Sequence, residues 1–183
     1  MTSKTRVTVL GDGGWGTGLS ILLDRKGQVP TLWSAFPEYA KFLREKRENV
    51  KFLKGVPIPS SVKITSDLDQ AVDDAETVVF AIPTQYLRAV LYRLKPSALA
   101  GKVVVSVAKG IEKKTLLRPS EILNSHSSPE RLAVLSGPSH AEEVARNLPT
   151  CVVVASRWRE TAQYVQDLFS DSRFRIYTSD DVV

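Results

Sequence analysis

The residues best suited to chemistry in this chain form a glycine-rich segment near its start, GDGGWGTGL at residues 11–19. Gly11, Gly13 and Gly16 are spaced as G-x-G-x-x-G, directly after the apolar run at residues 7–10 and at the start of a helix-period stretch. There the first glycine permits a tight turn, the second lets a pyrophosphate approach the backbone, and the third lets helix and strand pack closely. Free N–H groups and the positive end of the helix would hold the phosphates. The segment predicts dinucleotide binding, with a purely structural glycine turn as the alternative.

Polar residues also follow other predicted strands, at the edge where ligands of open α/β sheets bind. Lys109 stands at one strand end, where it is either a compact cation for a phosphate or carbonyl oxygen or an ordinary surface lysine. Another strand leads into SGPSHAEE at residues 136–143, in which Ser139 and Glu142 have the S-x-x-E spacing of a helix capping box. This spacing predicts a second helix start that favours anions. A further strand ends in PTQY at residues 83–86.

The end of the second predicted strand bears on which dinucleotide is preferred. It reads LWSAF at residues 32–36, with no acidic residue to bind the adenosine ribose and no arginine to bind a 2′-phosphate. Ser34 is the polar group there that could hydrogen-bond a ribose or a phosphate. The choice between NAD and NADP therefore stays open.

Short β-branched runs that alternate with helix-period stretches predict the elements that position these residues. Most of the runs are apolar throughout, as expected for strands covered on both faces. Pro37 suits the first turn of a helix that runs to about Glu48, and Pro57 and Pro59 indicate an extended loop. The pattern predicts an α/β fold: a doubly wound, mostly parallel Rossmann-type sheet with helices on both faces. The predicted strands lie at residues 6–10, 29–33, 62–64, 77–82, 103–108, 132–136, 150–155 and 173–177.

The composition is that of an ordinary globular protein, with 43% hydrophobic and 25% charged residues among 183. The single cysteine, Cys151, lies in an apolar run and is predicted to be a buried, unreactive thiol. One cysteine and two histidines are too few for a structural zinc site, so we expect no metal. No apolar stretch approaches the ~20 residues of a membrane span and no secretory signal is evident, so we expect a cytoplasmic protein without a membrane span.

The net charge of +5 has a local source in KFLREKRENVKFLK, residues 41–54, which holds six basic and two acidic residues. Such a run is typical either of a surface for nucleic acid or acidic ligands, or of a solvated helix face. Lys41/Glu45 and Arg44/Glu48 have the i, i+4 spacing of helical ion pairs. We therefore favour the solvated face and expect no nucleic-acid partner, although a positive field would attract a phosphorylated ligand.

Together these motifs resemble the N-terminal domain of NAD(P)-dependent glycerol-3-phosphate dehydrogenases. The tryptophan in GDGGWGT at residues 11–17 is the mark of that family, and NVKFLKG at residues 49–55 is similar to its N-x-x-[YF]-L-x-G loop. VFAIPTQ at residues 79–85 and AKGIE at residues 108–112 follow in the family's order. LSGPSHAEEVA at residues 135–145 is similar to its GPS-x-A-x-E-V-A signature, and the likeness covers essentially the whole chain.

The resemblance implies a dinucleotide-binding domain over residues 1–183, with NAD or NADP as cofactor. It implies hydride transfer between NAD(P)H and a phosphorylated small molecule, dihydroxyacetone phosphate, to give sn-glycerol 3-phosphate for phospholipid synthesis. The general acid/base lysine would lie in a C-terminal helical substrate domain outside this chain, so we expect the chain alone to be inactive or nearly so. The full-length protein is implied to be a homodimer.

By position, the resemblance also assigns roles to individual residues. Lys109 is the candidate catalytic residue, through contact with the substrate. Ala35 stands where the family often has an arginine or a bulky residue, which leaves the cofactor preference open, and His140 stands where phenylalanine is common. The implied cofactor-binding residues are Gly11, Gly13, Gly14, Trp15, Gly16, Tyr86, Lys109 and Ala141, and the implied substrate-binding residues are Lys109, Gly137 and Ser139.

Two other functions are open on the residues alone. One is the N-terminal domain of another two-domain dehydrogenase, acting on a hydroxyacyl or sugar-acid substrate. The other is a stand-alone nucleotide-binding or redox-sensing module without chemistry of its own.

Overall fold

Strands and helices alternate along the chain around one eight-stranded sheet, with a small two-stranded hairpin beside it. The structure is a computed structural model and describes residues 4–183. The strands are β1 (Arg6–Leu10), β2 (Val29–Trp33), β3 (Glu48–Asn49), β4 (Leu53–Pro57), β5 (Lys63–Thr65), β6 (Thr77–Phe80), β7 (Val103–Ser106), β8 (Leu132–Ser136), β9 (Thr150–Ala155) and β10 (Phe174–Ser179). The helices are α1 (Gly14–Arg25), α2 (Pro37–Lys46), α3 (Leu68–Asp73), α4 (Thr84–Leu91), α5 (Pro119–Asn124), α6 (Ala141–Ala145) and α7 (Arg159–Phe169).

The strand order of the sheet is β10-β9-β8-β7-β6-β1-β2-β5. All neighbouring pairs from β5 to β8 are parallel, and β9 is antiparallel to β8 and parallel to β10. The chain first moves outward from β1 to β2 and β5, then crosses back to β6 on the other side of β1. Such a reversal opens a crevice at the carboxyl ends of β1 and β6, where open α/β sheets bind their ligands.

Two hydrophobic cores cover the two faces of the sheet. Val9, Val79 and Val105 face a core that also contains the buried sides of α1, α2, α6 and α7. Val78 and Val104, one position along their strands, face a second core with α3, α4 and α5. Side chains of a strand alternate between faces, so a strand buried on both faces is expected to be apolar at most positions. The prediction of a doubly wound, mostly parallel sheet with helices on both faces is therefore confirmed.

The predicted strands agree with the observed ones to within two residues at either end, and four of them match exactly the bounds of β1, β2, β8 and β9. The hairpin of β3 and β4 is absent from the predictions, which place an extended loop around Pro57. Arg47 ends α2 in the left-handed conformation, with φ 51°, so the helix stops before Glu48. The hairpin then follows at once.

The predicted ion pairs of the basic segment, Lys41/Glu45 and Arg44/Glu48, do not form within residues 4–183. Arg44 donates instead to the carbonyl oxygen of Ile64, at 3.3 Å. Glu48 lies beyond the helix and accepts a hydrogen bond from the Gly55 N–H, at 2.8 Å. Arg44 thus links α2 to β5, while Glu48 links β3 to β4.

Cys151 is exposed, so the prediction of a buried thiol is wrong. In β9 the side chains alternate: Val152 and Val154 pack against the core that includes α7, while Cys151 and Val153 lie on the other face. No helix in the described part of the chain shields that face of β9, which is why an apolar run is only half buried. Within residues 4–183, no helix is both long and apolar enough to cross a bilayer.

Candidate functional site

The glycine turn closes by backbone contacts that only glycine permits. A Cβ on Gly11, which has φ 117°, would lie 2.5 Å from the carbonyl oxygen of Ala81 at the end of β6. A Cβ on Gly16 would lie 1.9 Å from the carbonyl oxygen of Gly11. Both distances are far below van der Waals contact, so these two glycines let strand, turn and helix touch.

Gly13 differs from its neighbours because space remains beside it. Apart from its two chain neighbours, no atom of residues 4–183 would lie within 4 Å of a Cβ there, and its φ of −67° is allowed for any residue. Packing therefore does not require glycine at this position. Gly11 and Gly16 are required by packing, whereas Gly13 is not. A glycine at position 13 is instead consistent with close approach of a ligand to the backbone.

The first turn of α1 presents hydrogen-bond donors at the same place. The Thr17 N–H is bonded to the Gly13 carbonyl oxygen at 3.0 Å, so the amides of Gly14, Trp15 and Gly16 precede the first intrahelical bond. No acidic side chain lies in this first turn. The positive end of the helix dipole and these amides together form a site for an anionic group such as a phosphate.

The β3–β4 hairpin covers one side of the turn. A Cβ on Gly14 would lie 2.6 Å from the Phe52 carbonyl oxygen, so glycine is also needed there for the hairpin to pack. The Phe52 ring, 44% exposed, meets Tyr39 edge to face at 6.3 Å and carries the Lys51 ammonium 5.0 Å above its centre. The hairpin thus packs its backbone against the first turn of α1 and carries an exposed aromatic ring and a cation.

A cleft of about 340 Å³ continues from the turn between the ends of β6 and β7. Its lining includes Trp15, Lys109, Ser139, His140 and Ala141, so the structure brings four of the predicted site residues and one further polar residue together. Ala141 also approaches the helix, since its Cβ would lie 3.4 Å from a Cβ built on Gly14. The cleft joins the glycine turn to the lysine.

Lys109 is exposed, and its ammonium donates to the carbonyl oxygen of Gly137 at 3.1 Å. A Cβ on Gly137 would lie 2.9 Å from the Cα of Val152, so this backbone packs directly on β9. The bond places the predicted substrate-binding residues Lys109 and Gly137 side by side. Because the lysine bonds a neutral carbonyl, and no carboxylate among residues 4–183 pairs with it, its positive charge stays available to an anionic ligand.

Helix α4 holds the loop after Lys109 at three points. The Thr84 hydroxyl donates to the Lys109 carbonyl oxygen at 2.7 Å, and the Gln85 amide donates to the Ile111 carbonyl oxygen at 2.7 Å. The Arg88 guanidinium makes a two-point ion pair with Glu112, with distances of 3.0 and 2.9 Å. The bonds from Arg88 hold the pKa of Glu112 at about 2, far below its usual value.

Other predicted residues have different surroundings from those expected. Tyr86 lies in the first turn of α4 with 65% of its surface exposed, beyond Pro83, which lines the cleft. Ser34 is fully buried, and its hydroxyl donates to the Asp12 carboxylate, so it is not free for a ribose. The exposed side chains at that strand end are Ala35 and Phe36.

The predicted capping box at Ser139 and Glu142 does not form. Helix α6 has only five residues, its N-cap is His140, and no side chain caps it. The Ser139 N–H turns back to the Gly137 carbonyl oxygen at 3.0 Å, which places Ser139 in the cleft rather than at the helix start. A helix this short also provides little dipole, so the second anion-binding helix start is not supported.

The parallel sheet, the crevice between β1 and β6, and the glycine turn at the start of α1 define a Rossmann-type dinucleotide-binding fold. The family described as NAD-dependent glycerol-3-phosphate dehydrogenase N-terminus matches residues 6–162. The chain belongs to this family.

Known relatives are similar over the whole chain. Glycerol-3-phosphate dehydrogenase [NAD(P)+] of Moorella thermoacetica is 48% identical over 180 residues, which cover 98% of this chain and 53% of the relative. The protein of that name from Chlorobium luteolum is 46% identical over 180 residues, covering 97% and 54%. A crystal structure of glycerol-3-phosphate dehydrogenase from Coxiella burnetii superimposes with a TM-score of 0.90 at 31% identity, covering 98% of this chain and 55% of that one. The chain thus spans about half the length of the relatives it matches.

Proposed function

We propose that this chain is the cofactor-binding half of a glycerol-3-phosphate dehydrogenase, which transfers a hydride between NAD(P)H and dihydroxyacetone phosphate. The observation that carries the proposal is the open space beside Gly13, at the start of α1 and at one end of the cleft that holds Lys109. A dinucleotide fits this arrangement, because its pyrophosphate needs amides and bare backbone while its nicotinamide end needs a cleft.

Different residues would bind different parts of the cofactor. Gly11, Gly13, Gly14 and Gly16 would hold the pyrophosphate through their backbone, and Trp15 and Ala141 would line the cofactor where it enters the cleft. Tyr86 would reach it from the rim. In support of this division, Trp15 and Ala141 line the cleft, and Pro83, which also lines it, directly precedes the helix that holds Tyr86.

Lys109 would contact the substrate, with Gly137 and Ser139 beside it. The bound dinucleotide supplies the hydride, and the protein must stabilise charge at the ketone oxygen and hold the substrate phosphate. A lysine ammonium can do either, as a compact cation with three donors. Its bond to Gly137 at 3.1 Å fixes the position from which it would act.

Reduction of a ketone also needs a proton at the oxygen, from a group within hydrogen-bond reach. We propose that a lysine in a C-terminal helical domain, outside residues 1–183, is this general acid/base. This chain alone should therefore bind cofactor but turn over little substrate. We further propose that the full-length protein is a cytoplasmic homodimer that supplies glycerol 3-phosphate for phospholipid synthesis.

Calorimetric titration of the chain with NADH and with NADPH tests the proposal. We expect saturable binding of at least one of them, competed by ADP, because the phosphates provide most of the contacts at the turn. The ratio of the two affinities measures the preference that the exposed Ala35 and Phe36 leave undecided. Binding of neither dinucleotide would refute the proposed function, and full dehydrogenase rates from this chain would refute the external general acid.

A further inference from the structure

Asn49 is a fully buried polar residue next to the glycine turn, and it lies outside the residues assigned to the cofactor or substrate. It ends β3, in the hairpin that packs on Gly14. A buried side-chain amide is unfavourable unless its hydrogen-bonding groups are satisfied, so its partners indicate why it is there.

All four hydrogen-bonding positions of the Asn49 amide are used. Its Nδ2 donates to the backbone carbonyl oxygen of Asp12 at 2.8 Å and to the Thr17 hydroxyl oxygen at 2.7 Å. Its Oδ1 accepts from the Tyr39 hydroxyl at 2.7 Å and from the Phe52 N–H at 3.1 Å. The amide thereby links α1 and the glycine turn to α2 and the hairpin.

The partners also fix which way the amide is oriented. A backbone carbonyl, here of Asp12, can only accept, and a backbone N–H, here of Phe52, can only donate. Nδ2 must therefore face the turn and Oδ1 the hairpin, since the opposite orientation would break both bonds.

The hydrogen bond to the Asp12 carbonyl oxygen sets the orientation of the neighbouring Gly13 N–H, which belongs to the proposed phosphate site. Asp12 lies between Gly11 and Gly13, and its carbonyl group shares a planar trans peptide with the Gly13 N–H, so the two point in opposite directions. Holding that carbonyl toward the buried Asn49 directs the Gly13 N–H away from the protein interior. Ser34 holds the Asp12 side chain as well, so the residue is fixed at two points.

We propose that Asn49 is a positioning residue for dinucleotide binding, which sets the orientation of the Asp12–Gly13 peptide so that the Gly13 N–H faces the phosphates. The inference rests on the proposed function, because it requires that the glycine turn binds a pyrophosphate. Asn49 itself would not contact the ligand, because its side chain is buried and its amide is fully hydrogen-bonded within the protein. Its effect on affinity passes through one backbone bond.

Replacement of Asn49 by leucine and by serine tests this role. Leucine keeps the number and branching of the side-chain heavy atoms and removes every hydrogen bond, whereas serine leaves room for a water and is the milder change for folding. In both variants that remain folded by circular dichroism, we expect the Kd for NADH and for ADP to rise about tenfold or more. Adenosine, which lacks the phosphates, should bind all forms alike.

Ser156→Ala is the matched control. It removes another buried side-chain bond, from the Ser156 hydroxyl to the Leu132 carbonyl oxygen at 2.8 Å, at the opposite end of the sheet. We expect it to lower stability without changing the Kd for NADH. A folded Asn49→Ser protein with wild-type affinity, or an equal loss of affinity for adenosine, would overturn the role of Asn49. Failure of the wild-type chain to bind NADH or NADPH would instead refute the proposed function, and the inference with it.

Discussion

Gly13→Ala separates ligand binding from folding at the glycine turn. Gly13 has φ −67° and ψ 177°, which alanine adopts without strain, and in the described part of the chain the new methyl group would lie more than 4 Å from every atom outside its two chain neighbours. Alanine lowers the entropy of the unfolded chain, which stabilises the fold by about 0.4–1 kcal/mol. It is also a poorer N-cap than glycine, which destabilises the helix by up to about 1 kcal/mol. The two effects oppose each other, so the free energy of unfolding should stay within about 1 kcal/mol of the wild-type value.

The same methyl group would stand where the pyrophosphate approaches the backbone. Losing one charge-assisted hydrogen bond from a phosphate weakens binding by about 1.5–3 kcal/mol. At 1.4 kcal/mol per tenfold change, the Kd for NADH should rise by roughly 10- to 150-fold. Titration calorimetry with NADH measures this change, and urea unfolding of the same preparation measures stability.

Gly16→Ala is the comparison from the same turn. Its methyl group would lie 1.9 Å from the Gly11 carbonyl oxygen, a contact between two backbone segments that cannot yield by a side-chain rotation. We expect this variant to lose stability as well as affinity. The reasoning is refuted if Gly13→Ala binds NADH as the wild type does, or if its unfolding midpoint falls as far as that of Gly16→Ala.

Three further predictions concern the ends of β7 and β9. Because Arg88 lowers the pKa of Glu112 to about 2, the ion pair stabilises the fold above the unfolded-state pKa of about 4.3 and loses this effect as the pH falls toward 2. Urea midpoints of wild type and Glu112→Gln should therefore differ at pH 7 and converge in acid; a constant difference contradicts the assignment. Lys109→Met, at an exposed position, should change the free energy of unfolding by no more than about 0.5 kcal/mol, yet abolish the further thermal protection that glycerol 3-phosphate adds to that given by NAD⁺ alone. Cys151 should react with a thiol reagent in the native protein, and a thiol that reacts only in denaturant would show that β9 is covered.

Local patterns were enough to predict the main strands and the glycine turn of the site. Short β-branched runs and period-3.6 patterns involve residues that are close together in the sequence, so β1, β2, β8 and β9 could be placed from the sequence, as could the start of α2 at Pro37. The G-x-G-x-x-G segment belongs to this class too, because its strand, turn and helix are contiguous. The resemblance to the family, which rests on these motifs, is confirmed by the match of the family to residues 6–162.

Contacts between distant segments decided the rest. The hairpin of β3 and β4 has a two-residue strand, too short for a periodic signal, and it is held by Asn49 and Phe52 against a turn more than thirty residues earlier. Helix α6 begins at Ala141 rather than at the capping-box position because the backbone of Gly137 packs on β9 and Ser139 turns back to it.

The exposure of individual side chains and their hydrogen-bond partners were likewise decided by the tertiary structure alone. Cys151 and Val152 are adjacent in one apolar run, yet only Val152 meets a helix, because helix α7 covers a single face of β9. Ser34 has the chemistry to bind a ribose, but Asp12 lies within reach of its hydroxyl once β1 and β2 are paired. The sequence by itself determined the alternation of strands and helices and the position of the glycine turn. Which side chains are buried and which are hydrogen-bonded depended on how the sheet brought remote strand ends together, because both properties involve residues that are distant in the sequence.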